Sequence, residues 1–83
     1  MDIKIYTASY CPYCAMAKSF FDEKNLKYTE YQIDGNEEEE FKKLKNNFNI
    51  QGEVTVPQIF IDNKRIGGYS DLMELVSNNK ISF

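Results

Sequence analysis

The chain has 83 residues, of which 42% are hydrophobic and 28% charged, with six Phe, six Tyr and a formal net charge of -3. That length allows one compact domain over residues 1–83 with a modest core, expected to be monomeric or weakly associating. The mixed charge lacks the basic patch that nucleic acid requires. No run approaches the roughly 20 apolar residues that span a bilayer, and the Met1-Asp2-Ile3-Lys4-Ile5 start lacks a secretory leader's pattern, so a cytoplasmic, membrane-free protein is expected. There is no histidine. Ser-His and Cys-His nucleophile pairs and histidine metal sites are therefore excluded, leaving cysteines, carboxylates, lysines and backbone to carry any chemistry.

In chain order, residues 2–7 alternate Ile3 and Ile5 against Asp2 and Lys4, the pattern of a strand, and lead into the loop Thr7-Ala8-Ser9-Tyr10. From Pro12 to Asn25 the apolar residues Ala15, Met16, Ala17, Phe20 and Phe21 recur at helical spacing, with Pro12 suited to the first turn. Residues 28–33 are rich in β-branched and aromatic side chains and form a second strand, parallel to the first through a right-handed crossover.

Asp34-Gly35-Asn36 is a turn. Glu37 to Glu40 then sit at the positive end of a second helix carrying Phe41, Leu44 and Phe48. Residues 58–61 are a short apolar strand, Asp62-Asn63-Lys64 turns the chain, and Arg65-Ile66 returns antiparallel to end at Gly67-Gly68. Ser70 is expected to cap a last helix carrying Leu72, Met73, Leu75 and Val76, which ends at Asn78-Asn79 before the Ile81 and Phe83 tail packs back.

The two cysteines, Cys11 and Cys14, close too small a loop to stabilise a fold, so they read as chemistry. In Cys11-Pro12-Tyr13-Cys14 the spacing at a helix start brings both sulfurs within bonding distance. Helix-terminal N–H groups favour the thiolate of the first cysteine, which attacks. Cys14, a turn deeper, is expected to stay a thiol until it resolves the product. A zinc ribbon would need a second cysteine pair or histidines, so no metal site is expected.

The order β-α-β-α-β-β-α with Cys-x-x-Cys at its first helix describes an α/β, thioredoxin-like fold: a mixed four-stranded sheet with helices on both faces. Two further loops belong to such a site. In Thr55-Val56-Pro57, proline sits at a strand start, and a cis Val56–Pro57 bond would turn the Val56 N–H and C=O outward to pair with an extended peptide. A plain strand-start proline is the simpler alternative. Gly67-Gly68-Tyr69-Ser70-Asp71 puts backbone N–H groups where a carboxylate binds and Asp71 where a substrate ammonium binds, or is merely a capped first turn.

Cys11-Pro12-Tyr13-Cys14 with Ala17-Lys18, then Thr55-Val56-Pro57-Gln58-Ile59-Phe60-Ile61, then Gly67-Gly68-Tyr69-Ser70-Asp71-Leu72 closely resembles the glutaredoxin family, dithiol Cys-Pro-Tyr-Cys class, over essentially the whole chain. The resemblance implies a reductase of protein disulfides and of glutathionylated proteins. Glutathione would serve as co-substrate with no tightly bound cofactor, and the reduction potential would be about -200 to -230 mV. It also implies that glutathione lies across the three loops with its sulfur joined to Cys11. Its cysteinyl backbone would pair with Val56 before Pro57, Tyr13 would flank it, Thr55 would sit beside the thiols, and Gly68, Ser70 and Asp71 would hold the γ-glutamyl end. Many members carry a cation three residues before the first cysteine, where this chain has Ala8, and a basic residue is common where this chain has Glu53. Weaker glutathione binding is therefore expected. Two alternatives stand beside this reading. One is a thioredoxin-like reductase served by a flavoprotein, although tryptophan, typical of that family, is absent. The other is a dimeric carrier of a [2Fe-2S] cluster ligated by glutathione, against which the stiffening Pro12 weighs.

Overall fold

The computed structural model describes residues 1–50, 52 and 54–81. Its elements run β1 (Ile3–Thr7), α1 (Pro12–Glu23), β2 (Thr29–Gln32), α2 (Glu37–Phe48), β3 (Gln58–Ile61), β4 (Lys64–Gly67) and α3 (Tyr69–Ser77). The strands form one mixed sheet in the order β2-β1-β3-β4. β1 is parallel to β2, with Ile5 opposite Glu30, and antiparallel to β3, with Ile5 opposite Ile59.

Alternation along the two central strands divides the core. Ile3, Ile5, Ile59 and Ile61 face one side and close on Ala17 and Phe21 of α1 and Leu72 of α3. Phe60 and Tyr6 face the other, where Leu44, Phe41 and Phe48 of α2 cover them. Helices thus lie on both faces, and β3, buried along its whole length, reads as a continuous apolar run because both its faces are covered. Among the described residues no helix is long and apolar enough to cross a membrane.

The expected elements form, with shifts at their ends that have local causes. α1 stops at Glu23 rather than Asn25, because Asn25 takes a left-handed conformation (φ 57°) that ends the helical ladder. Asp62 and Asn63 both have positive φ, so they alone make the tight turn, and Lys64 already pairs with Ile61. Ser70 does not cap α3. Gly68 occupies the N-cap, and Asp71, three residues on, accepts a hydrogen bond from the Gly68 N–H at 2.9 Å. The helix begins two residues earlier than expected because this carboxylate, and not the serine hydroxyl, closes its first turn. Ile81 packs against the core cluster formed by the sheet, α1 and α3; Phe83 lies outside the described residues.

The approach of Asp71 leaves no room beside Gly67. This residue has φ +114°, and a Cβ there would stand 2.4 Å from Asp71 Oδ2. Gly67→Ala is expected to destabilise the protein by about 1–3 kcal/mol through backbone strain and displacement of that carboxylate. Chemical denaturation of the two proteins measures it, and an unchanged midpoint would refute the account.

Candidate active site

Three chain segments meet at one end of the molecule, and the first carries the cysteines. β1 is buried and ends at Thr7, after which Ala8, also buried, accepts from the Cys11 N–H at 3.2 Å. Asp34, beyond β2, takes two hydrogen bonds from the Ser9 N–H at 3.0 and 3.2 Å and another from the Ser9 hydroxyl. These bonds hold the Asp34 carboxyl below the usual carboxylate range. The loop is thereby tied at both ends before the helix starts.

Cys11 is the N-cap of α1, with extended backbone (φ -103°, ψ 106°), and Pro12 opens the helix, where a missing N–H costs nothing. Its Sγ accepts a hydrogen bond from the Cys14 N–H at 3.2 Å, so a free amide of the first turn points at the sulfur. Cys11 is partly exposed, whereas Cys14 is 1% exposed, and both are free thiols. Burial, reinforced by the hydrogen bond with Cys11, pushes the Cys14 thiol up to about 12, while a backbone hydrogen bond from Ala8 and the charge of Lys18 pull the other way. One sulfur is therefore presented to solvent and the other is stored as a neutral thiol.

The second segment is the approach to β3. Val56–Pro57 is cis, as the extended-peptide reading expects. The Cys11 thiol lies 3.6 Å from the Val56 carbonyl oxygen, which accepts from it, so the nucleophile faces this segment directly. Pro57 is buried and Thr55 exposed. Buried Gln58 anchors the turn: its Nε2 donates to the Thr55 carbonyl at 2.7 Å, and its Oε1 accepts from Arg65 Nε at 3.0 Å. Glu53 lies outside the described residues.

The third segment is the β4–α3 junction. Pro57, Gly68, Tyr69, Ser70 and Asp71 line a shallow cavity of about 140 Å³ with Tyr13, whose ring is 6.2 Å from that of Tyr69. Tyr13 is 55% exposed and forms one wall. Five of the expected binding residues, Tyr13, Pro57, Gly68, Ser70 and Asp71, are thus brought together around one depression. Val56 joins them through its contact with Cys11. Thr55 does not line the cavity; its carbonyl serves the Gln58 anchor. A larger depression, about 490 Å³, opens at the start of α2 among Gly35, Asn36, Glu37, Glu38, Glu39 and Lys42, but neither cysteine lines it.

Two groups near the thiols carry little signal in the sequence. Gln58 is one, because a glutamine in an apolar strand reads as a solvent-side residue until its burial is seen. The other is a set of three residues from β1, α1 and β2. Glu30 Oε2 accepts from the Thr7 hydroxyl at 2.7 Å and from Lys18 Nζ at 2.9 Å. Only the i, i+4 spacing of Cys14 and Lys18 hints at it.

A mixed four-stranded sheet threaded β-α-β-α-β-β-α is the thioredoxin-like fold, and a pair of free thiols three apart at its first helix makes this chain a dithiol member of the thiol–disulfide oxidoreductases. The glutaredoxin family profile matches residues 3–66. Glutaredoxin 1 of Rickettsia prowazekii is 42% identical over 79 residues, covering 95% of this chain and 81% of its own. Among solved structures, glutaredoxin 1 of Francisella tularensis superposes with a TM-score of 0.84 at 34% identity, covering 95% of each chain. A buckwheat glutaredoxin–glutathione complex superposes with a TM-score of 0.80 at 28% identity, covering 94% of this chain and 70% of its own. The chain belongs to the glutaredoxin family and is a glutathione-dependent thiol–disulfide oxidoreductase with a Cys-x-x-Cys active site.

Proposed function

We propose that Cys11 is the nucleophile and Cys14 the resolving thiol of a single-domain, monomeric, cytoplasmic enzyme of the Cys-Pro-Tyr-Cys class. It reduces disulfide-containing and glutathionylated proteins, with glutathione as diffusible co-substrate and no tightly bound cofactor. The asymmetry between a partly exposed Cys11 and a buried Cys14 carries this reading.

In the deglutathionylation route, the Cys11 thiolate attacks the glutathione sulfur of a protein–glutathione disulfide. A Cys11–glutathione disulfide forms, the S–S bond to the protein breaks, and the released protein thiolate takes up a proton. A second glutathione attacks this adduct and leaves as glutathione disulfide, returning Cys11. With a protein disulfide, Cys11 forms the mixed disulfide with the substrate; Cys14, on losing its proton, attacks Cys11 Sγ and expels the substrate thiolate. The resulting Cys11–Cys14 disulfide is reduced by two glutathiones.

In this reading glutathione lies across the three segments, which the contact of Val56 with Cys11 and the cavity beyond it support. Its cysteinyl backbone lies along Val56 and Pro57, Thr55 stands at the edge of the same turn, Tyr13 flanks the tripeptide, and its γ-glutamyl end meets Gly68, Ser70 and Asp71. One Asp71 oxygen already serves the Gly68 N–H, so the other remains for the ammonium. The buckwheat protein's complex with glutathione supports this reading. A coupled assay with glutathione and glutathione reductase tests it: both a glutathionylated peptide and a protein disulfide turn over. Activity only with a flavoprotein reductase specific for thioredoxin would overturn it.

Ala8 leaves no cation for a glutathione carboxylate and is 4% exposed. A lysine there can run its stem over the surface and hold its ammonium in water. Ala8→Lys is expected to lower the KM for a glutathionylated peptide roughly three- to tenfold, the worth of one part-screened charge contact, with little change in kcat. Steady-state kinetics decide, and an unchanged KM would count against a missing carboxylate contact.

A further inference from the structure

Cys14 has a task that its own surroundings oppose. It must become a thiolate to resolve a mixed disulfide, yet it is 1% exposed, and burial pushes its thiol up to about 12. Two of the causes that raise it, the hydrogen bond and the charge of Cys11, vanish once Cys11 is tied into a disulfide and carries no charge. What remains in favour of the anion is the backbone of Ala8 and one cation, Lys18.

Lys18 follows Cys14 by one helical turn, on the same face of α1. Side chains on a helix lean toward its N-terminus, which favours the approach of Lys18 to the turn that carries Cys14, and its charge acts on the Cys14 sulfur. Its ammonium is fixed by Glu30 Oε2 at 2.9 Å, and the same oxygen accepts from the Thr7 hydroxyl at 2.7 Å. Thr7 is 1% exposed. Its hydroxyl sits one residue before Ala8, whose backbone serves Cys14, so this threonine binds the ion pair to the strand beneath the thiols. Glu30 is held below the usual carboxylate range, first by Thr7 and then by Lys18, and Lys18 is raised by Glu30, so each favours the charged form of the other. Among the described residues the other groups acting on this set are Tyr28 and Gln32.

We propose that Thr7, Glu30 and Lys18 form a device that positions a permanent positive charge beside Cys14 and so promotes the resolving step of the dithiol reaction. Lys18 is a positioning residue and neither accepts nor donates the transferred proton. The Cys14 proton leaves to water, the anion forms beside the ammonium, and attack on Cys11 Sγ makes the Cys11–Cys14 bond while the departing thiolate is protonated. The resolving step exchanges one S–S bond for another; over attack and resolution together the cysteine pair is oxidised by two electrons and the substrate disulfide is reduced by two.

This inference rests on the roles proposed above for Cys11 and Cys14. Mixing the reduced full-length enzyme with glutathione disulfide under rapid quench separates the steps. Attack by Cys11 releases one glutathione, and resolution by Cys14 releases the second. In Lys18→Met the second release is expected to slow roughly tenfold relative to the first at pH 7, the effect of one nearby, part-screened charge. Its rise with pH should move upward by about one unit, so that the deficit closes in alkali. Lys18→Arg, which keeps the charge, should recover most of the rate, and Glu30→Gln should fall between. A deficit equal in both phases, one independent of pH, or no better rate in Lys18→Arg than in Lys18→Met would overturn the role of Lys18. If the wild-type adduct forms on Cys14, the assignment of the two cysteines fails, and this inference fails with it.

Discussion

Cys11→Ser is expected to reduce both turnover of a glutathionylated peptide and reduction of a protein disulfide to the rate of glutathione alone, whereas Cys14→Ser retains the first and loses the second. The difference follows from position. Cys11 is the partly exposed sulfur, at a helix N-cap and facing Val56, and a serine hydroxyl in that place cannot form a disulfide. Cys14 is buried behind it, so substrate never meets it except through Cys11, and the route that uses a single thiol does not need it. Parallel assays of the three proteins with both substrates give the answer. Equal loss in the two variants would refute the division of labour, because residues that act as one unit fail together.

Phe21→Ala carries the largest expected cost in stability. Phe21 is fully buried, its ring 5.6 Å from that of Tyr28 and 5.8 Å from that of Phe20, and it anchors α1 on the face of the sheet formed by Ile3, Ile5, Ile59 and Ile61. Removing a buried aromatic ring and leaving a cavity costs about 3–5 kcal/mol. A chain of this size holds only about 4–12 kcal/mol in all, so the loss consumes a large share of it. Thermal unfolding should show Tm lowered by about 15–30 °C. A fall of less than about 5 °C would mean that α1, and with it the thiol pair, is seated by something other than this contact.

Much of the fold is legible in the sequence because periodicity and turn chemistry agree. Ile3 and Ile5 alternate, Phe20 and Phe21 return at helical spacing, and Asp62-Asn63 accepts the positive φ that a tight hairpin needs. The ends are less legible, since they depend on contacts made in three dimensions. Ser70 has the right chemistry for a cap, but the Asp71 carboxylate reaches the Gly68 N–H and starts α3 earlier. The thiol pair is legible for a different reason: in a chain without histidine, two cysteines three apart leave few other readings. Its supports are not. Gln58 and Glu30 are unremarkable in their local sequence, and only the pairing of β1 with β2 and β3 places one behind the Thr55 turn and the other against Thr7 and Lys18.

The assignment of the two sulfurs is tested most directly by limited alkylation of the reduced protein at pH 7 with less than one equivalent of iodoacetamide, followed by peptide mapping. The label is expected on Cys11, with loss of activity in step with its incorporation and Cys14 modified only after unfolding. Label appearing first on Cys14, or on both at equal rates, would contradict the account.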